Sequence, residues 1–144
     1  MKCLVAFALL FASTAWAAEI PSSAWVYRTA MKKSAWRTFG LGAPVATLAA
    51  QIHQESAWDI NAISAAGAQS LAQFMPGTAA DMAARFPSIC APANPFNPVW
   101  AFQCRDKYLK TLITAIHNNE STECDDWALG LRAYRQQLLA GNIA

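Results

Sequence analysis

ESAWDINAISAAGAQSLAQFMPGTA, residues 55–79, is the stretch on which the reading of this chain turns. It opens on Glu55-Ser56 at the end of a segment in which Val45, Leu48, Ala49, Ile52 and Ser56 recur at helical spacing. With Pro44 in the first-turn position, this predicts a helix to about Ala57. Asp59 to Gly67 is rich in turn formers. Ser70 to Phe86 is helical in composition but broken by Pro76-Gly77, which predicts a short turn of helix, a break, and a further helix from Thr78.

Working outward, Ser22 to Phe39 has no internal Gly or Pro and reads as a helix capped by Ser22 or Ser23 and ended by Gly40 and Gly42. Pro87 to Pro98 holds four of the seven prolines and reads as a loop. Val99 to His117 carries Phe102, Tyr108, Leu109, Leu112, Ile113 and Ile116 in a broad helical stripe. Asp125 to Leu139 is the last predicted helix, with Asp125-Asp126 near its positive end. No period-two pattern persists and no repeat occurs, so the fold class is mainly α.

The first residues need separate treatment. Met1-Lys2 is a positive start, Cys3 to Phe11 an apolar run, and Ala15-Trp16-Ala17 a small-x-small cleavage site. Residues 1–17 therefore read as a secretory signal peptide and 18–144 as one domain, with a retained membrane anchor as the alternative. Across 144 residues the net charge is +2, and loss of Lys2 leaves 10 basic against 9 acidic residues. Nucleic-acid binding driven by charge alone is excluded. Of the cysteines, Cys90, Cys104 and Cys124 remain after export; three pairings are open and one thiol is left over. Neither His53 nor His117 stands at zinc-ligand spacing from them, so no metal and no cofactor are expected.

Glu55 is the candidate for chemistry. At 100° per residue it lies about 20° from Leu48, at the edge of the apolar stripe. Partial burial there raises a carboxyl pKa, the direction a general acid needs near neutrality. A solvated glutamate at a helix end is the plain alternative.

The succession Glu55-Ser56, Ser64, Gly67 through Gln73, Met75-Pro76 and Thr78-Ala79 resembles the signature of the lytic transglycosylases with the goose-type lysozyme-like fold. That family runs Glu-Ser, a Ser nine residues on, a Gly-x-x-Gly-Leu-Met-Gln turn, then Met-Pro-x-Thr-Ala. Asn94-Pro95-Phe96-Asn97-Pro98 leading to Tyr108-Leu109 resembles its connection into the next long helix, and Ala133-Tyr134 the start of its Ala-Tyr-Asn motif. The likeness covers Pro44 to Tyr134. Ser70 and Ala72 replace the turn's second Gly and its Met, which suits the turn as long as Ser70 keeps a negative φ. Arg135 replaces the Asn, and the family's following glycines and helix are missing, which implies a truncated C-terminal part.

The resemblance implies a lysozyme-like helical domain that cleaves the β-1,4 bond between N-acetylmuramic acid and N-acetylglucosamine of peptidoglycan, with Glu55 as sole acid and base and a 1,6-anhydro product. Ser64 and Gln73 would hydrogen-bond the sugar or orient Glu55, Met75 would line the cleft, and Tyr134 would bring its hydroxyl near the carboxyl. Two alternatives remain. One is a muramidase, which needs a second carboxylate within about 5–9.5 Å, Asp59 being the nearest in sequence. The other is a catalytically defunct peptidoglycan-binding protein. Partners are glycan strands, with no nucleic acid and no stable membrane insertion after signal cleavage, and the protein is expected to be a periplasmic or envelope monomer. The Ala68-to-Ala79 wording resembles phage-encoded members, favouring lysis as an endolysin over a role in a secretion apparatus.

The remaining residues read as structural. Trp58 could stack on a sugar, whereas Trp25, Trp36, Trp100 and Trp127 are expected to fill the core. His53 is expected at the surface, and Lys32, Lys33 and Arg37 form a solvated basic face suited to contact with an anionic envelope. Glu120, Glu123, Asp125 and Asp126 read as a capping and solubilising patch.

Overall fold

The computed structural model describes residues 20–117 and 123–140. The helices are α1 (Ser22–Phe39), α2 (Val45–Ser56), α3 (Pro76–Arg85), α4 (Pro87–Cys90), α5 (Pro98–Ile116) and α6 (Glu123–Ala140). Among the described residues no strand forms; extended pairing is confined to the bridges Ile63–Gln69 and Gln69–Phe74. The chain is mainly helical, as its periodicity predicts.

The central element is α5. Asn97 caps it by accepting the N–H groups of Val99 and Trp100 at 2.9 and 3.1 Å, and Pro98 occupies its first turn, where no donor is missed. α1, α4 and α6 pack against it, α3 packs on α4, and α2 packs on α1. Phe102 and Leu109 of α5, Leu48 and Ile52 of α2 and Met82 of α3 are fully buried. Each such side chain contributes about 1.5–3 kcal/mol relative to exposure. Cys90 pairs with Cys104, so a disulfide staples α4 to α5; the Cys124 side chain lies outside the described residues.

Two charged residues sit where periodicity puts a core. Arg105 and Asp106 are both fully buried and form an ion pair at 2.7 Å. Ser34 of α1 donates its hydroxyl to Asp106 at 2.5 Å, and Arg105 donates to the Leu48 carbonyl at 3.0 Å and to Gln51 Oε1 at 3.1 Å. One buried pair thus fastens three helices. Burial pushes the Asp106 carboxyl up, against the pull of Arg105 and the Ser34 hydrogen bond.

Several local expectations are corrected. The N-cap of α1 is Pro21, with no side-chain cap from Ser22 or Ser23; the fixed φ of the proline starts the helix instead. The segment from Ser70 to Met75 holds no helical turn, because Ser70 (φ 64°) and Gln73 (φ 49°) are left-handed, and the helix begins at Pro76 itself. Within the proline-rich loop, Pro87–Cys90 forms the short α4. At the other end, α6 starts at Glu123, so Asp126 falls inside its first turns. There it is buried and meets His117 Nδ1 at 2.5 Å; Glu120 lies outside the described residues.

Tryptophan usage follows the expectation at Trp100 and in part at Trp127, and departs from it at Trp25, Trp36 and Trp58. Trp58 is buried in the core with Trp100, while Trp25 and Trp36 of α1 stand on the surface; Trp127 is half-buried against Phe39, with ring centroids 4.8 Å apart. Trp58 turns inward because Ala57 (φ 49°) and Trp58 (φ 68°) are consecutive left-handed residues that reverse the chain at the end of α2.

Candidate active site

Glu55 occupies the last turn of α2, and the reversal at Ala57-Trp58 lays the following loop back beside it. The loop is held by its own hydrogen bonds. Ser64 N–H donates to Ala68 O at 2.9 Å, Ala68 N–H returns to Ser64 Oγ at 3.0 Å, and Gly67 (φ 88°) makes the turn between them. Ser70 N–H donates to Ala62 O at 2.7 Å, and Gln73 Nε2 donates to Ser70 O at 2.8 Å and Ala62 O at 3.3 Å. Phe74 anchors the far end in an aromatic cluster, its ring centroid 5.2 Å from that of Trp100 and 6.2 Å from those of Tyr108 and Tyr134.

Two helices grip adjacent carbonyls of this loop. Ser56 Oγ, next to Glu55, donates to Leu71 O at 3.0 Å, and Tyr134 of α6 donates its hydroxyl to Ala72 O at 2.9 Å. The end of α2 and the turn of α6 bearing Tyr134-Arg135 are therefore fixed on either side of one dipeptide. Arg105 supports the same wall from below, since its contacts at Leu48 and Gln51 hold the α2 face that leads up to Glu55.

Glu55 is half-buried. Burial pushes its carboxyl above the ordinary glutamate value, and the Arg135 guanidinium pulls it part of the way back. Tyr134 is fully buried and its phenol is held well above its usual range, first by burial and then by the neighbouring negative charge of Glu55, against the attraction of Arg105. The phenol therefore stays a hydrogen-bond donor at neutral pH. Asp59, the carboxylate nearest in sequence, is exposed and accepts the Asn61 N–H at 2.8 Å, closing a local turn. Among the described residues no group of three His, Cys, Asp and Glu is placed to hold a metal ion.

The residues singled out from the sequence fall into two groups. Glu55 lies near enough for its charge to bear on the Tyr134 phenol, and Gln73 joins them through the turn whose Ala72 carbonyl Tyr134 holds. Ser64 has its oxygen engaged by the Ala68 amide, and Met75 is half-buried against the core. His53 is half-buried. Sequence reasoning missed the tie from Ser56 to Leu71, and it noted Arg135 only as a departure, without seeing that its charge reaches Glu55. No sequence signal announced the second, since adjacent residues of a helix point about 100° apart and Arg135 directly follows Tyr134.

The family description "Transglycosylase SLT domain" matches residues 38–138, a span that includes α2, the loop and most of α6. No curated protein and no solved structure matches the chain.

Proposed function

Because the chain belongs to the transglycosylase SLT domain family, whose members are lytic transglycosylases acting on peptidoglycan, we propose that it cleaves the N-acetylmuramic acid–N-acetylglucosamine β-1,4 bond with Glu55 as its acid and base. The protonated carboxyl of Glu55 gives its proton to the glycosidic oxygen as the C1–O bond breaks. The resulting carboxylate then takes the proton of the muramoyl 6-hydroxyl as that oxygen bonds to C1, closing the 1,6-anhydro ring. No water enters, and Glu55 ends as it began, protonated.

The observation that carries this reading is the state of Glu55: a half-buried carboxyl, raised by burial, while Asp59 is turned outward to the Asn61 amide. A single carboxyl suits internal attack by a sugar hydroxyl, whereas hydrolysis calls for a pair. In this reading Gln73 and Tyr134 hold the turn against which the sugar lies, and Ser64 and Met75 border the cleft. The protein acts after export, residues 1–17 serving as signal peptide, in the periplasm or envelope, and the wording around Gln73 favours phage-type lysis.

The test is mass spectrometry of soluble products from purified peptidoglycan treated with residues 18–144 or the Glu55→Gln variant. Anhydro-muropeptides from the first and none from the second are expected. Reducing ends would replace this reading with a muramidase, and absence of product from both would replace it with a binding protein.

A further inference from the structure

The outward side of α1 plays no part in the site above, and nearly all of this helix precedes the stretch matched by the family. It carries Arg28, Lys32, Lys33 and Arg37, four of the chain's 11 basic residues, and no acid. At 100° per residue Trp25, Lys32 and Trp36 fall within about 40° of one another, and Arg28, Lys33, Val26 and Arg37 extend the sector to about 180°. The aromatic rings are exposed, Trp25 by 59% and Trp36 by 38%, and Val26 and Ile20 by 76% and 61%. Each ring has a cation over it, Arg28 at 5.5 Å from the Trp25 centroid and Lys32 at 4.6 Å from that of Trp36.

Beside this face a groove of about 310 Å³ opens between α1 and α2. Ala24, Met31, Ala49 and Trp58 are among its apolar lining, and among the described residues Arg28 and Lys32 are the charged ones that border it. Against this lining a sugar would find the donors of Arg28 and Lys32 but little else to replace the hydrogen bonds of its hydroxyls to water, at a cost of about 1–3 kcal/mol for each one lost. Acyl or glycerol carbons lose none, and a phosphate at the mouth would meet the guanidinium and the ammonium. Tryptophan beside Lys and Arg is the composition that settles at a headgroup boundary.

We propose that this face of α1, with its groove, docks the protein on a bilayer surface containing anionic phospholipid. The attachment is peripheral: no described helix is long and apolar enough to cross a membrane. It is independent of the reading of Glu55, which does not line the groove.

The test is co-sedimentation of the exported protein with vesicles of phosphatidylglycerol and phosphatidylcholine, or of phosphatidylcholine alone, at 0.1 and 0.5 M salt. Binding to the anionic vesicles alone, weakened at the higher salt, is expected. Each basic residue near such a surface contributes about fivefold. Arg28→Gln with Lys32→Gln therefore lowers partitioning by about 25-fold, and Trp25→Ser with Trp36→Ser lowers it as well. Arg85→Gln with Arg132→Gln makes the same change in net charge on other helices and leaves most of the binding in place. Equal losses from the two charge pairs would overturn the proposal, as would equal binding to neutral vesicles or none to either. Binding to purified sacculi instead, lost in Arg28→Gln with Lys32→Gln, would reassign the face to peptidoglycan. Unchanged near-ultraviolet circular dichroism shows that each variant is folded.

Discussion

The loop after α2 and the middle of α5 are both built around polar groups withdrawn from water, but they use them differently. In α5 the charges of Arg105 and Asp106 satisfy one another and the carbonyl and side chain of α2, and the result is a brace. In the loop, left-handed Ala57, Trp58, Ser70 and Gln73 hold a shape that the hydrogen bonds of Gln73 and Tyr134 maintain. Beside that shape Glu55 is half-buried with no ion pair among the described residues, and its carboxyl is raised. The contrast separates residues kept for stability from those kept against it, because a buried acid that is easily protonated costs folding free energy at neutral pH and supplies the proton for chemistry.

Glu55→Gln draws the largest difference. Release of soluble muropeptides should fall by about 10²–10⁴-fold, the contribution of a positioned general acid. Stability should move the other way. The folded-state pKa of Glu55 lies above its unfolded value, so the folded protein loses stability as pH rises from about 4.5 through that raised value. At pH 7 the glutamine variant should therefore melt no lower than the parent. A clear drop in melting temperature would assign Glu55 to the brace.

Arg105→Met should do the opposite. It leaves Asp106 buried without its partner and strips a donor from Leu48 O and Gln51, for a loss of about 3–5 kcal/mol in urea unfolding. Specific activity of the molecules that remain folded should hardly change. If activity disappears while stability survives, the brace belongs to the site.

Tyr134→Phe probes the joint between the two regions. The lost hydroxyl leaves the Ala72 carbonyl without its donor, a cost of about 1–3 kcal/mol, and loosens the turn opposite Glu55. Activity measured at a temperature where the variant is fully folded should still be reduced, which separates positioning from stability.

The sequence made the brace and the joint unequally legible. Helix positions followed from Pro44, Gly40, Pro98 and the apolar spacing of α5, because local propensity and tertiary packing agree there. Glu55, Gln73 and Tyr134 were found through their spacing in a known pattern. Arg105-Asp106 was not legible as a brace, since a charged pair in a helix normally faces water and its partners Ser34, Leu48 and Gln51 lie far away in the sequence. Trp58 misled because burial depends on backbone direction: two left-handed residues turn its ring inward, and nothing in composition announces that. Ser70 shows the same limit, being left-handed and fully buried with a hydroxyl that has no partner among the described residues. Ser70→Gly removes both costs and should stabilise the protein by about 1 kcal/mol in urea unfolding. A loss of stability would mean that the hydroxyl is bonded after all.

The smallest effect is expected at Arg135, whose exposed guanidinium acts on Glu55 through a field that solvent screens. Arg135→Asn removes the charge that draws the Glu55 carboxyl down, so its pKa rises further and the acid persists to higher pH. The alkaline limb of the pH profile of kcat/KM should move upward while the maximal rate hardly changes, and 0.5 M salt should shift the parent enzyme toward the variant by screening the same charge. Arg135→Lys keeps the charge and should leave the limb in place. A limb that moves downward in the asparagine variant, or equally in the lysine variant, would show that Arg135 bears on catalysis by contact with the glycan, and the charge beside Glu55 would then be part of substrate recognition.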